Sequence, residues 1–234
     1  MRDKRKNNFK KIIKNVDKAV LILEKKIQTQ ENISVRKSLT GMLIDILLKK
    51  TIAQYSIGEN KEVITSSLLD CITAFEEGFK WEGFENGYGD MDIVIWLVSL
   101  SILCDIELDN FKQITSIIER DNINDNLLDV LILSKQEDWV PNGTDYIQKH
   151  PYANTENFST IDDVKIYLKK KWYQGHSDSY WYNSHKTNIK HLYFGYWAWE
   201  AAALVKIYGL DDTELKDTEY YPYDAVHWND GLFA

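Results

Sequence analysis

Apolar residues at Phe9, Ile12, Ile13, Val16, Val20, Leu23 and Ile27 recur every three or four positions, the repeat of a helix with one buried face. The same spacing continues through Leu39, Leu43, Ile46, Leu47 and Ala53, and again through Val63, Ile64, Leu68, Ile72 and Phe75. Two-residue alternation of useful length is scarce, so no extensive sheet is expected. Only 3 prolines occur in 234 residues, which leaves room for long helices and argues against a turn-rich sandwich or barrel. The fold class these patterns predict is all-α.

The breaks in the pattern set the element ends. Gly58 is placed to close the second helix, over 34–54, and a third covers 61–77. The stretch 78–89 holds four glycines among bulky aromatics and reads as a loop with anchors. An apolar segment, Met91 to Cys104, then reads as a buried helix, with shorter helices over 109–119 and 124–134. Trp139-Val140-Pro141-Asn142-Gly143 is a clear interruption. Beyond it a helix over 161–173 can be capped by Ser159 or Thr160, and a short helical piece spans 177–185. Residues 190–208 form the longest apolar signal and predict a long helix central to its part of the chain, ended by Gly209. Asp211 with Glu214 has the spacing of a capping box, and Tyr220 to Asp224 should be irregular around Pro222. The expected architecture is a two-part helical bundle, 1–124 and 125–234, with the long apolar helix in the second part.

Charge is distributed unevenly. Residues 1–60 carry 14 Lys and Arg against 6 Asp and Glu, whereas 61–140 carry 5 against 17. So acidic a middle repels nucleic acid and attracts a basic protein surface, or else serves as a solvated face. The lysines of the first helix alternate with its apolar stripe, as on any solvated amphipathic helix. The polar, basic start has no apolar stretch of a secretory signal. The longest apolar run, Ile93 to Cys104, falls short of the roughly 20 residues of a membrane span. Cytoplasm is the expected compartment, and Cys71 and Cys104 are expected as free core thiols.

The residues offer little chemistry. His150, His176, His185, His191 and His227 form no paired spacing on a helical turn, and CxxC is absent, so no metal is expected. No phosphate-cradling glycine motif and no nucleophile elbow occur, and no cofactor is expected. Asp90-Met91-Asp92 has the form of a metal-holding triplet, but at the start of a helix it also serves as a cap. Glu200, in the apolar 190–208 segment, must be paired or protonated if buried; it is either a tuned acid or a structural carboxylate. The alternative to a binding protein is an all-α enzyme acting on sugar or phosphate substrates, with Glu200 or the Asp90 and Asp92 pair at work.

One stretch is more specific. Gly195-Tyr196-Trp197-Ala198-Trp199-Glu200-Ala201-Ala202-Ala203 is followed by Gly209-Leu210-Asp211-Asp212 and by Tyr220-Tyr221-Pro222-Tyr223-Asp224. This order resembles the C-terminal domain of the PoNi immunity family, and Gln54-Tyr55-Ser56-Ile57-Gly58-Glu59 is compatible with that family's N-terminal domain. The resemblance implies a mostly helical, non-catalytic protein that binds and neutralises a cognate bacterial DNase toxin of the PoNe type. Such toxins are delivered by secretion systems between competing bacteria. It also implies that Gly195, Tyr196, Trp197, Glu200, Asp211, Asp212, Tyr221, Pro222 and Asp224 define the fold. Gly195 would permit close helix approach, and Glu200 would hold the Tyr221-Pro222-Tyr223-Asp224 loop. For the toxin contact, negative charge combined with loop aromatics points to Glu76, Glu77, Trp81, Glu82, Phe84, Glu85, Tyr88, Asp90 and Asp92. The other reading of these aromatics is that they plug an inter-helix groove. Oligomeric state is left open.

Overall fold

The structure is a computed structural model that describes residues 2–81, 89–143, 152–186 and 193–228, with side chains from Phe9 onward. Among these residues the chain is helical, with no strand. It divides into two compact units, each assembled from separate stretches of sequence. The first is 1–81 with 183–195, and the second is 82–182 with 196–234.

The first unit is built on three helices, α1 (Arg2–Thr29), α2 (Ile33–Ile57) and α3 (Lys61–Gly78). Helix α2 packs against both of the others. Asn32 caps α2 by accepting the amide hydrogens of Ser34 and Val35, and Gly58 closes it in the left-handed region at φ 84°. Both are local signals, which is why the predicted ends fall within a few residues of the observed ones. Phe9, Ile12 and Val16 of α1 are buried, as the periodicity requires. Gly78 allows α3 to end against α2, since a Cβ there would lie 2.2 Å from the Thr40 Cγ2. From the returning segment, Phe194 accepts the Ser56 hydroxyl through its carbonyl at 2.9 Å.

The second unit centres on α4 (Gly89–Cys104), whose residues from Val94 to Cys104 are buried. Around it lie α5 (Leu108–Arg120), α6 (Asn126–Leu133) and α9 (Trp199–Tyr208). Asp125 caps α6 by accepting the Leu128 amide at 3.1 Å. Lys206 of α9 donates to the Ile102 and Leu103 carbonyls at 3.1 and 3.2 Å, covering the electronegative end of α4. The Trp139–Gly143 break is tied down by Asp129. Its Oδ1 takes the Trp139 indole N–H at 2.7 Å, and its Oδ2 takes the Asn142 and Gly143 amides at 3.1 and 2.6 Å. The helix begun by the Thr160 and Asp163 capping box runs as α7 (Ile161–Tyr167) through a π turn (Leu168–Trp172) into α8 (Tyr173–Gly175). The π turn leaves Lys169, Lys170 and Lys171 outside while Leu168 and Trp172 face in.

Three local expectations are corrected. The apolar helix over 190–208 is short: α9 begins at Trp199, and 193–198 is irregular. Gly195 sits at φ 117°, outside the helical range, and the Ala198 amide donates to the Tyr220 carbonyl at 2.8 Å rather than along a helix. Gly195 thus lies ahead of α9, in a backbone conformation that favours glycine, and not within a helix. The piece over 177–185 is mostly turns, with a 3₁₀ turn at Ser184–Lys186. Finally, no capping box forms at Asp211. Its Oδ1 accepts the Thr213 amide at 3.0 Å, while Glu214 pairs with Lys165.

Candidate functional site

The residues expected to contact a partner are divided between the units. Glu76 and Glu77 are exposed in the last turn of α3, and Trp81 is half-buried just beyond it, all in the first unit. Asp90 is half-buried in the first turn of α4, in the second unit. Glu82, Phe84, Glu85 and Tyr88 lie outside the described residues. Asp92 faces inward and is only 1% exposed, so it offers no surface to a partner.

Asp92 is instead the hub of a buried polar cluster. Its Oδ1 accepts the Tyr152 hydroxyl at 2.7 Å, and its Oδ2 accepts the Ser179 hydroxyl at 3.2 Å and the Trp181 indole N–H at 3.1 Å. The His176 Nε2 lies 3.7 Å from Oδ1, while His176 Nδ1 is 2.6 Å from the Trp172 carbonyl. Burial pushes the Asp92 carboxyl up and the His176 imidazole down. In each case the opposite charge of the other group works against burial. A carboxylate inside an apolar helix needs this set of donors, because an unsatisfied one is costly. The signal in the sequence was Asp92 itself, a lone acid entering the apolar run. Its donors lie 60 to 89 residues away and could not be named from spacing.

Glu200, in the first turn of α9, is fully buried. Its Oε1 accepts the Tyr167 hydroxyl at 2.8 Å. Burial is the main cause that pushes its carboxyl up to about 8, and the charge of Asp92 acts in the same direction. At neutral pH the group is mostly a neutral acid. The Tyr221-Pro222-Tyr223-Asp224 loop is held by Asp212 rather than by Glu200. Asp212 Oδ2 accepts the Tyr221 hydroxyl at 2.6 Å, and its Oδ1 lies 2.8 Å from His227 Nε2. Pro222 is buried and precedes the short α10 (Tyr223–Val226), with Asp224 exposed in its first turn. Tyr196 and Trp197 are half-buried, and Asp211 is exposed. Sequence spacing suggested neither the Asp212 clamp nor the Asp129 clamp on Trp139.

Chemically, this arrangement positions and braces. Asp92, His176 and Glu200, the groups with catalytic character, are sealed at 1% exposure or less and engage neighbouring side chains. Both cysteines are buried free thiols, as expected. Among the described residues no group of three or more His, Cys, Asp or Glu side chains is placed to hold a metal ion. No helix among them is long and apolar enough to cross a membrane.

Compared with known families, residues 3–116 match the model described as PoNe immunity protein (PoNi), N-terminal, and residues 123–225 match PoNe immunity proteins (PoNi), C-terminal. No curated protein and no solved structure matches the chain.

Proposed function

The chain belongs to the PoNe immunity protein (PoNi) family, and from that premise we propose that it binds a cognate DNase toxin of the PoNe type in the bacterial cytoplasm and blocks it by surface complementarity. An immunity role and a toxin as protein partner follow from the family itself. The observation that carries the reading is the succession of both family domains along one chain, together spanning almost all of it. Charge supports the nuclease as target. A surface made to hold DNA phosphate is basic, and an acidic inhibitor meets it with fast, steered association.

The proposed contact centres on the acidic aromatic stretch from Glu76 to Asp90, excluding the inward Asp92. Glu76 and Glu77 occupy the negative end of the α3 dipole, where each carboxylate is unfavourable by about 0.3–1 kcal/mol. Such placement does nothing for the helix and suits a binding role. An enzymatic reading gains no support from Asp92 or Glu200, whose carboxyls have no open face.

The test is co-expression with a cognate DNase toxin of the PoNe type, scoring cell survival and co-purification. Rescue together with a stable complex is expected. Cell death despite full expression of this chain would overturn the proposal.

A further inference from the structure

Asp92 and His176 meet inside the second unit, each 1% exposed, and the bonds around them limit how many protons the two can carry. His176 Nδ1 lies 2.6 Å from the Trp172 carbonyl. A carbonyl oxygen only accepts, so Nδ1 carries a hydrogen. The other ring nitrogen, Nε2, lies 3.7 Å from Asp92 Oδ1. In a neutral ring with its hydrogen on Nδ1, Nε2 presents a lone pair, and an ionised Asp92 presents another on a charged oxygen. In a sealed core that repulsion is strong. One proton on either atom turns the contact into an attraction. A second proton leaves an imidazolium without a counter-charge on Asp92, which is costly as well.

The surroundings hold this geometry in place. Tyr152 donates to Asp92 Oδ1 at 2.7 Å, and Ser179 and Trp181 donate to Oδ2 at 3.2 and 3.1 Å. The Tyr152 and Trp181 rings also pack on the imidazole, with centroids at 5.1 and 4.9 Å. Glu200 of α9 is coupled to Asp92 by charge, and as a mostly neutral acid it adds little repulsion at neutral pH. Burial lifts the Asp92 carboxyl and lowers the His176 ring. In that combination the carboxyl keeps its proton after the ring has lost its own.

We infer that Asp92 and His176 hold a single proton between Oδ1 and Nε2 through neutral pH, and that this proton latches the 152–182 stretch onto α4. Tyr152, Trp172, His176, Ser179 and Trp181 all come from that stretch, and Asp92 is their shared anchor on α4. Loss of the proton in alkali sets a carboxylate against the Nε2 lone pair and loosens the latch. Between the ordinary values of 3.8 for Asp and 6.5 for His, the unfolded chain carries one proton on these two groups, as the folded chain does. Above 6.5 the unfolded chain has released it, so stability falls as pH rises. Below 3.8 the unfolded chain gains a second, so stability falls as pH falls.

The test has two arms, neither of which involves the toxin. In the first, the parent chain, labelled with ¹⁵N in histidine rings and ¹³C in aspartate carboxyls, is followed by NMR from pH 5 to 7.5. The expected result is a hydrogen on His176 Nδ1 throughout, one further proton on either Nε2 or the Asp92 carboxyl, and no titration step in the range. An ionised Asp92 beside a neutral ring, both groups protonated, or a step near pH 6.5 overturns the inference. The second arm compares Glu200→Gln with Glu200→Gln carrying Asp92→Asn, so that the Glu200 proton does not enter. Asn at 92 stands in for the protonated carboxyl without titrating: its amide can donate to Nε2, and the Tyr152 and Ser179 hydroxyls can donate or accept. Urea unfolding should show the unfolding constant of the Asp92 chain rising relative to that of the Asn chain by about tenfold per pH unit, about 300-fold from pH 5 to 7.5. A ratio that stays constant across this range overturns the inference. If the double variant does not fold, the first arm decides on the parent chain alone.

Discussion

Replacing Glu200 with Gln removes one titrating proton from the centre of the second unit while keeping the size of the side chain. Burial raises the carboxyl from its ordinary 4.5 to about 8. Between those values the folded chain keeps a proton that the unfolded chain has released, so unfolding frees it. Stability therefore falls as pH rises through the window, by about 1.4 kcal/mol per pH unit at most. Integrated, the loss is about 2–3 kcal/mol between pH 5 and 7, and about 4 kcal/mol by pH 8.5. The groups facing Glu200 are Tyr167, which donates its hydroxyl at 2.8 Å, together with Trp172 and Asp92. A hydroxyl can donate to or accept from an amide, so Gln keeps the Tyr167 bond. Asp125, raised by burial to about 6, loses stability with rising pH in both proteins. His176, lowered by burial, loses it with falling pH in both. These terms cancel in the difference between variant and parent. Urea unfolding of both proteins at pH 5, 7 and 8.5 reads the effect. The advantage of Glu200→Gln should grow by about 2–3 kcal/mol from pH 5 to 7. Parallel stability curves, separated by a constant, would refute the argument that Glu200 is held as a neutral acid.

Glu200→Ala, which instead leaves the Tyr167 hydroxyl without its acceptor and opens a cavity, should destabilise by about 2–4 kcal/mol at pH 7 in the same assay. Gly143→Ala should cost about 1–3 kcal/mol, because a Cβ would lie 2.3 Å from Asn126 Oδ1 and 2.6 Å from Asp129 Oδ2. An unchanged melting temperature would show that the Asp129 clamp is absent. Tyr221→Phe removes the 2.6 Å donor to Asp212 and should cost about 1–3 kcal/mol in urea unfolding, since a buried carboxylate loses a partner. Glu76→Lys with Glu77→Lys should slow toxin association and weaken its salt dependence in stopped-flow mixing. Stability should hold or rise slightly, by about 0.3–1 kcal/mol per site, as the charges now match the α3 dipole. Association at the parent rate removes these two residues from the contact.

Helix type and position were legible wherever the determinant was local. The apolar spacing of 9–27, the Gly58 and Gly209 closures and the largely apolar α4 each depend on residues within a few turns of one another. Sequence also supplied the family motif, because the order of its residues is a linear property. In the 193–208 segment the linear signal misled. Trp197 and Trp199 continue the apolar pattern, yet Gly195 and the Ala198–Tyr220 hydrogen bond divert the backbone before α9 starts. Periodicity measures burial, and a buried irregular strand of chain is as apolar as a buried helix.

Tertiary structure alone decided which carboxylates face inward and what satisfies them. Asp92 meets donors from Tyr152, Ser179 and Trp181, Glu200 meets Tyr167, and Asp212 meets Tyr221 and His227. Hydrogen-bond satisfaction is a constraint on space, with no preferred separation along the chain. The interleaving of the two compact units, each drawn from separate stretches, belongs to the same class of property. So does the stacking of Tyr173 with Tyr220. The amino-acid order determined where helices could form and which family the chain belongs to, because both are written in short-range pattern. Packing determined which polar groups are sealed and which rings reach the surface, because only the folded chain brings their partners within hydrogen-bonding and van der Waals distance.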